Sequence, residues 1–259
     1  MFGVKTVGLL VNPIAGMGGT VGLKGTDGKE VLKRALELGA KPVAPARAVR
    51  MLRALSPIRG KFNLITYPRE MGENECNEAE FPSKVIGKIS NTTTARDTKR
   101  AARDFATSGC AVIIVVGGDG TLRDICEVVG TEIPVLAVPS GVKMHSAAFS
   151  TSPEAAAETL MKFLWDELPL KEAEVMDVDE VAFRQGKVSA KLYGYVSVPY
   201  EPSLLQGSKL ASLELEEEAE QQRAIAKYVV EQMKSGVVYF LGPGTTTRAI
   251  AQELGEDKT

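Results

Sequence analysis

The sequence predicts an α/β fold: an N-terminal domain built on a parallel sheet, then a smaller α+β domain containing an antiparallel hairpin. Three observations carry this. Short apolar runs at Val4–Val11, Phe62–Thr66, Ala111–Val116 and Pro134–Val138 alternate with segments of helical period. The run Ala111–Val116 is β-branched and unbroken, as in a strand covered on both faces. Beyond residue 170 the pattern changes to two strand-like arms around Gln185-Gly186, a hairpin signal.

The elements follow in order. The first strand ends at Asn12-Pro13 and leads into a Gly-rich stretch, Gly16 to Gly28. Lys29–Leu38 places Val31, Leu32, Ala35 and Leu36 on one helical face and stops at Gly39. Pro45 opens a second helix, with Ala48, Leu52 and Leu55 inward. Residues 69–92 are polar, without a clear period, and read as a loop. Thr94–Ser108 is a helix closed by Gly109. Leu122, Ile125, Cys126 and Val129 mark another, ending at Gly130. Strand–helix alternation of this kind implies a Rossmann-like parallel sheet with helices on both faces.

In the second half, Thr151 and Glu154 form a capping box with Pro153 in the first turn. That helix is expected to run to about Leu168. Val188, Ala190, Leu192, Val196 and Val198 alternate with polar residues, the period of a half-buried strand. Glu214–Ser235 reads as a long helix, Val237–Leu241 as a strand, Gly242–Gly244 as a turn and Thr245–Leu254 as a last helix. The expected domains are 1–145 and 146–259, the second C-terminally incomplete.

Composition excludes several functions. With 31 basic against 33 acidic residues, the net charge of −2 argues against a partner bound through many nucleic-acid phosphates. The longest apolar run, Cys110 to Val116, is far short of the ~20 residues of a spanning helix, so no membrane role is expected. Three cysteines without CxxC pairing read as reduced thiols in a cytoplasmic protein. One histidine, His145, excludes a His-rich metal site, and metal ligands stay unassigned.

Three Gly-rich turns each follow an expected strand. In Gly117-Gly118-Asp119-Gly120-Thr121, glycines let the backbone approach a ligand, and the next helix aims N–H groups at an anion. Asp119 would repel a phosphate, so it reads either as a reacting or metal-binding carboxylate or as a helix cap. Asn12–Gly28 fits neither the P-loop nor the dinucleotide fingerprint; it reads as a phosphate site or a flexible loop. Gly242–Thr247 reads as an anion site or a capped turn. Lys143 and His145 lie just past a strand end, where open α/β sheets bind ligands, or in a polar linker. Asp177 and Asp179 share one strand face, which is unusual for Asp.

Gly117–Thr121 after a β-branched strand resembles the signature of the NAD kinase and diacylglycerol kinase superfamily, and Val11–Gly16 resembles its first-strand motif. Val11–Asp27, Pro139–Phe149, Glu174–Phe183, Leu192–Pro199 and Leu241–Ile250 look like the ATP/polyphosphate-dependent NAD kinase-like branch. The resemblance implies a phosphotransferase of NADP biosynthesis, moving a phosphoryl group from ATP or polyphosphate, with Mg²⁺, to the 2′-hydroxyl of NAD. It implies Asp119 as the base or the orienter of that hydroxyl. Gly117, Gly118, Gly120 and Thr121 would line the phosphate site, and Asn12 and Gly16 would help hold the donor. Lys143 and His145 would contact nucleotide. Superfamily members often assemble, so a homo-oligomer is compatible with it. The Asn-Glu pairs, Asn74-Glu75 and Asn77-Glu78, precede the Gly-rich motif instead of following it, so the family's dinucleotide grip is not carried over to them. The alternatives are a kinase of another small hydroxyl substrate and a non-catalytic nucleotide-binding protein.

Overall fold

The computed structural model describes residues 4–21, 29–90, 92–141, 144–178, 190–206, 214–242 and 244–256. Five parallel strands form the sheet: β1 (Thr6–Val11), β2 (Asn63–Thr66), β3 (Lys84–Val85), β4 (Val112–Gly117) and β5 (Val135–Pro139). Their order is β3-β2-β1-β4-β5. The order reverses between β1 and β4, and open α/β sheets bind ligands outside the carboxyl ends of strands at such a switch point. The Asn12 and Gly117 turns leave β1 and β4 at that point.

Side chains of the central strands alternate between two apolar layers. Val7, Leu9, Val11, Ile114, Val116 and Val138 pack on one face with α3 (Ala44–Ala54) and α7 (Pro153–Leu164). Leu10, Ile113, Val115, Val135 and Ala137 pack on the other with α5 (Ala95–Thr107) and α6 (Asp119–Val129). Each such Val, Leu or Ile side chain, fully buried, contributes about 1.5–3 kcal/mol. This double cover is why the strands read as unbroken apolar runs. The helices α1 (Met17–Thr20) and α2 (Lys29–Glu37) add a small cluster of Met17, Ala35 and Ala40. Ala35 faces inward as expected, whereas Leu36 is exposed.

The antiparallel pair β6 (Leu170–Val178) and β7 (Ala190–Pro199) joins the second layer through Val175, Val196 and Val198. Its expected turn at Gln185-Gly186 lies outside the described residues. The described residues form two compact units, Met1–Lys209 and Leu210–Thr259. This division falls well after the expected 145/146 boundary, because the hairpin buries its apolar face in the core of the first unit. The second unit holds α8 (Glu214–Gln232) and α9 (Thr245–Glu253).

Four local expectations are corrected. Residues 69–92 contain a 3₁₀ turn, Arg69–Met71, the short helix α4 (Glu73–Glu78) and β3. The polar letters hid a buried face formed by Met71, Glu75, Cys76 and Ala79. The cap of α7 is Ser152, whose Oγ accepts from Ala155 N at 3.0 Å, and not Thr151. Pro153 at the first helical position sets the cap one residue before itself. In β7 a register shift opposite Val175/Met176 turns the strand, so Leu192 is exposed while Val196 and Val198 stay buried. Val237–Leu241 is not a strand; Val237, Val238, Tyr239 and Phe240 are exposed, and among the described residues no strand pairs with it.

Candidate functional site

The site forms where three loops meet at the carboxyl end of the sheet. From β1, the chain turns at Asn12, whose Oδ1 accepts from Ile14 N at 3.2 Å. Its Nδ2 donates to Thr121 Oγ1 at 2.8 Å. Gly117 makes room for that hydroxyl: a Cβ there would stand 2.7 Å from Thr121 Oγ1. Gly16, at φ +83°, packs its Cα against the loop after β5, where an added Cβ would fall 2.2 Å from the Ser140 carbonyl oxygen. Only glycine tolerates both that dihedral and that approach.

The third loop reaches Asp119 at the start of α6. Asp119 is 8 % exposed, yet its carboxylate is satisfied. Oδ2 accepts from His145 N at 2.9 Å, and Oδ1 from Ser146 N at 3.0 Å and Ser146 Oγ at 2.6 Å. These bonds cross 26 and 27 residues of chain, so they fasten the post-β5 loop to the helix start. Ser146 Oγ in turn exchanges hydrogen bonds with the Met176 backbone at 2.9 Å. The hairpin is thereby docked on the same helix.

A second carboxylate lies against the same helix start. Asp177 Oδ2 accepts from Arg123 Nη1 at 2.7 Å, and a Cβ at Gly120 would be 3.6 Å from that oxygen. The Arg123 guanidinium lies 5.2 Å from the Tyr193 ring centroid and Lys191 Nζ 5.6 Å from it. Burial opposes the charge of Arg123, but the carboxylates of Asp177 and Asp124 outweigh it and raise its pKa. The helix start is therefore flanked by fixed charge of both signs.

Asn12, Gly16, Gly117, Gly118, Asp119, Gly120 and Thr121 thus come together with His145, which contributes through its backbone N–H. Lys143 lies outside the described residues, as does Asp179. The Gly242–Thr247 turn belongs to the second compact unit. Sequence reasoning missed Ser146 and Arg123. The position of Ser146 just after His145 in a polar strand-exit loop was the only signal for it.

The first turn of an α-helix leaves backbone N–H groups without intrahelical partners, and its dipole favours anions. A buried carboxylate in that turn adds a proton acceptor. Together they suit a phosphate-bearing ligand next to a hydroxyl. The sequence model of the ATP-NAD kinase N-terminal domain matches residues 7–168, a span covering all three loops. The chain belongs to the ATP-NAD kinase family. No significant match was found to a curated protein or to a solved structure. The match places this ATP-NAD kinase domain among kinases, for which ATP is the family's phosphoryl donor. Among the described residues no helix is long and apolar enough to cross a membrane.

Proposed function

We propose that this ATP-NAD kinase family member transfers the γ-phosphoryl group of ATP to the 2′-hydroxyl of NAD, with Asp119 as the base. The observation that carries this is the buried Asp119 carboxylate at the start of α6, where the β1, β4 and β5 loops converge. Backbone N–H groups of Gly118–Thr121 receive phosphate oxygens, and Gly16 lets the Asn12 loop lie close to them. Lys143 and His145 contact nucleotide from the third loop. Asp119 takes the acceptor hydroxyl's proton as that oxygen bonds the γ-phosphorus. The bond from γ-phosphorus to the bridging oxygen breaks, and its electron pair leaves on ADP. Phosphoryl transfer asks the protein mainly for positioning and charge stabilisation, and a general base adds ~10²–10⁴-fold.

The donor set fits Mg²⁺ brought in on the phosphates. Mg²⁺ usually keeps waters and phosphate oxygens together with one or two carboxylates. Asp177 is the carboxylate at this helix start that would help hold it, and no group of three or more His, Cys, Asp or Glu occurs among the described residues. When bound, the ion neutralises charge on the phosphates.

The test is turnover of the chain with ATP, GTP and polyphosphate against NAD and NADH, with detection of the 2′-phosphorylated product. A second reading, a non-catalytic nucleotide-binding protein, draws on the three donors already seated on Asp119, which make it a loop clamp. ATP binding without turnover would favour that reading.

A further inference from the structure

Ser146 is 2 % exposed, and its hydroxyl sits between two acceptors. Oγ lies 2.6 Å from Asp119 Oδ1 and 2.9 Å from the Met176 carbonyl oxygen, and accepts from Met176 N at 2.9 Å. A serine hydroxyl has one hydrogen and two lone pairs. The two acceptors therefore share one hydrogen. An ionised carboxylate is the stronger acceptor, so the hydrogen lies toward Oδ1 while Asp119 carries its charge. Among the described residues Oδ1 then accepts from two donors and Oδ2 from one, the His145 N–H. Each carboxylate oxygen has two lone-pair directions, so among the described residues Oδ1 is filled and one direction of Oδ2 is untaken.

We infer that Ser146 is a positioning residue for Asp119: it occupies Oδ1, so that Oδ2 takes the acceptor's proton, and its hydrogen turns to the Met176 carbonyl once that proton has arrived. The inference rests on the phosphotransferase reading given above. The balance is simple. The acceptor O–H bond breaks and its proton goes to Oδ2. The oxygen keeps the electron pair and forms the new bond to phosphorus, and ADP leaves with the pair of the broken P–O bond. Protonation removes the charge of Asp119 and weakens Oδ1 as an acceptor. The Ser146 hydrogen then finds the Met176 oxygen already at hydrogen-bond distance, so the exchange moves one hydrogen and no heavy atom. Release of the proton to water after product leaves restores the starting arrangement.

The experiment compares steady-state kinetics with ATP and NAD for the wild-type chain, Ser146→Ala, Ser146→Thr, Asp119→Asn and the Asp119→Asn/Ser146→Ala double variant, with thermal unfolding of each. Ser146→Ala is expected to lower kcat about 10- to 100-fold with both KM values within about twofold. Ser146→Thr, which keeps the hydroxyl, recovers most of the loss. In the Asp119→Asn background Ser146→Ala has no further effect, because its action runs through that carboxylate. Should the alanine variant melt, Ser146→Cys, similar in size with a weaker donor, gives the same split at intermediate kcat. A wild-type kcat in Ser146→Ala overturns the inference, as do losses that multiply in the double variant. A wild-type chain without turnover overturns the kinase reading and the role of Ser146 with it, which is distinguishable from a working enzyme indifferent to Ser146.

Discussion

Asn12 donates from Nδ2 to Thr121 Oγ1 at 2.8 Å, joining two turns 109 residues apart in sequence. Because β1 and β4 are neighbours, their exits lie side by side, and this one bond ties the loop after β1 to the helix after β4. A neutral hydrogen bond of this kind is worth about 1 kcal/mol net. Asn12→Ala and Thr121→Val should each lower stability, and their combination should cost less than the sum by about 1 kcal/mol. Urea unfolding of the four species checks it. Strictly additive losses would show that the two turns are not coupled.

Gly16 is the second tie in this region. At φ +83°, with the Ser140 carbonyl 2.2 Å from where a Cβ would stand, Gly16→Ala must move backbone or accept strain. A loss of about 2 kcal/mol or more in unfolding free energy, seen as a lower urea midpoint, is expected. A variant as stable as wild type would mean that the loops part freely.

Asp119→Asn is expected to lower turnover by ~10²-fold or more if the carboxylate is the base. The amide nitrogen introduced there faces a backbone donor of His145 or Ser146, at a cost of about 1–3 kcal/mol in stability. Circular dichroism should nonetheless show the folded chain. A rate near that of wild type would reduce Asp119 to a clamp for the post-β5 loop.

Glu75 gives a pH prediction. It is 4 % exposed in α4, and Oε2 has no hydrogen-bond partner among the described residues. Burial first, with Glu78 and Glu70 adding repulsion, raises its pKa from 4.5 to about 7. The folded state therefore binds its proton more tightly than the unfolded one does. Its contribution favours folding at pH 4.5 and below and is lost as pH rises to about 7. The full penalty above that range is about 3 kcal/mol. Glu75→Gln should match wild type near pH 4.5 and exceed it in stability at pH 8. Equal stability of the two at pH 8 would show that Glu75 ionises without cost.

Much of this was legible in the sequence, for identifiable reasons. The central strands were plain because burial on both faces demands unbroken apolar runs such as Val112–Val116. Asp119 stood out because a carboxylate inside a glycine turn has few structural motives. The short helix α4 was obscured because its buried face includes Glu75, a residue that composition assigns to the surface. Val237–Leu241 misled because β-branched residues mark a strand only where another strand supplies hydrogen bonds. Ser146 could not be found from local pattern. Its partners, Asp119 and Met176, lie 27 and 30 residues away, and only the docked hairpin brings them together.

The most direct measurement is formation of 2′-phosphorylated product by the purified chain supplied with ATP, Mg²⁺ and NAD. Steady turnover, reduced ~10²-fold or more by Asp119→Asn, is the expected result. ATP binding without product, under conditions where Asp119→Asn binds ATP equally well, would contradict the account.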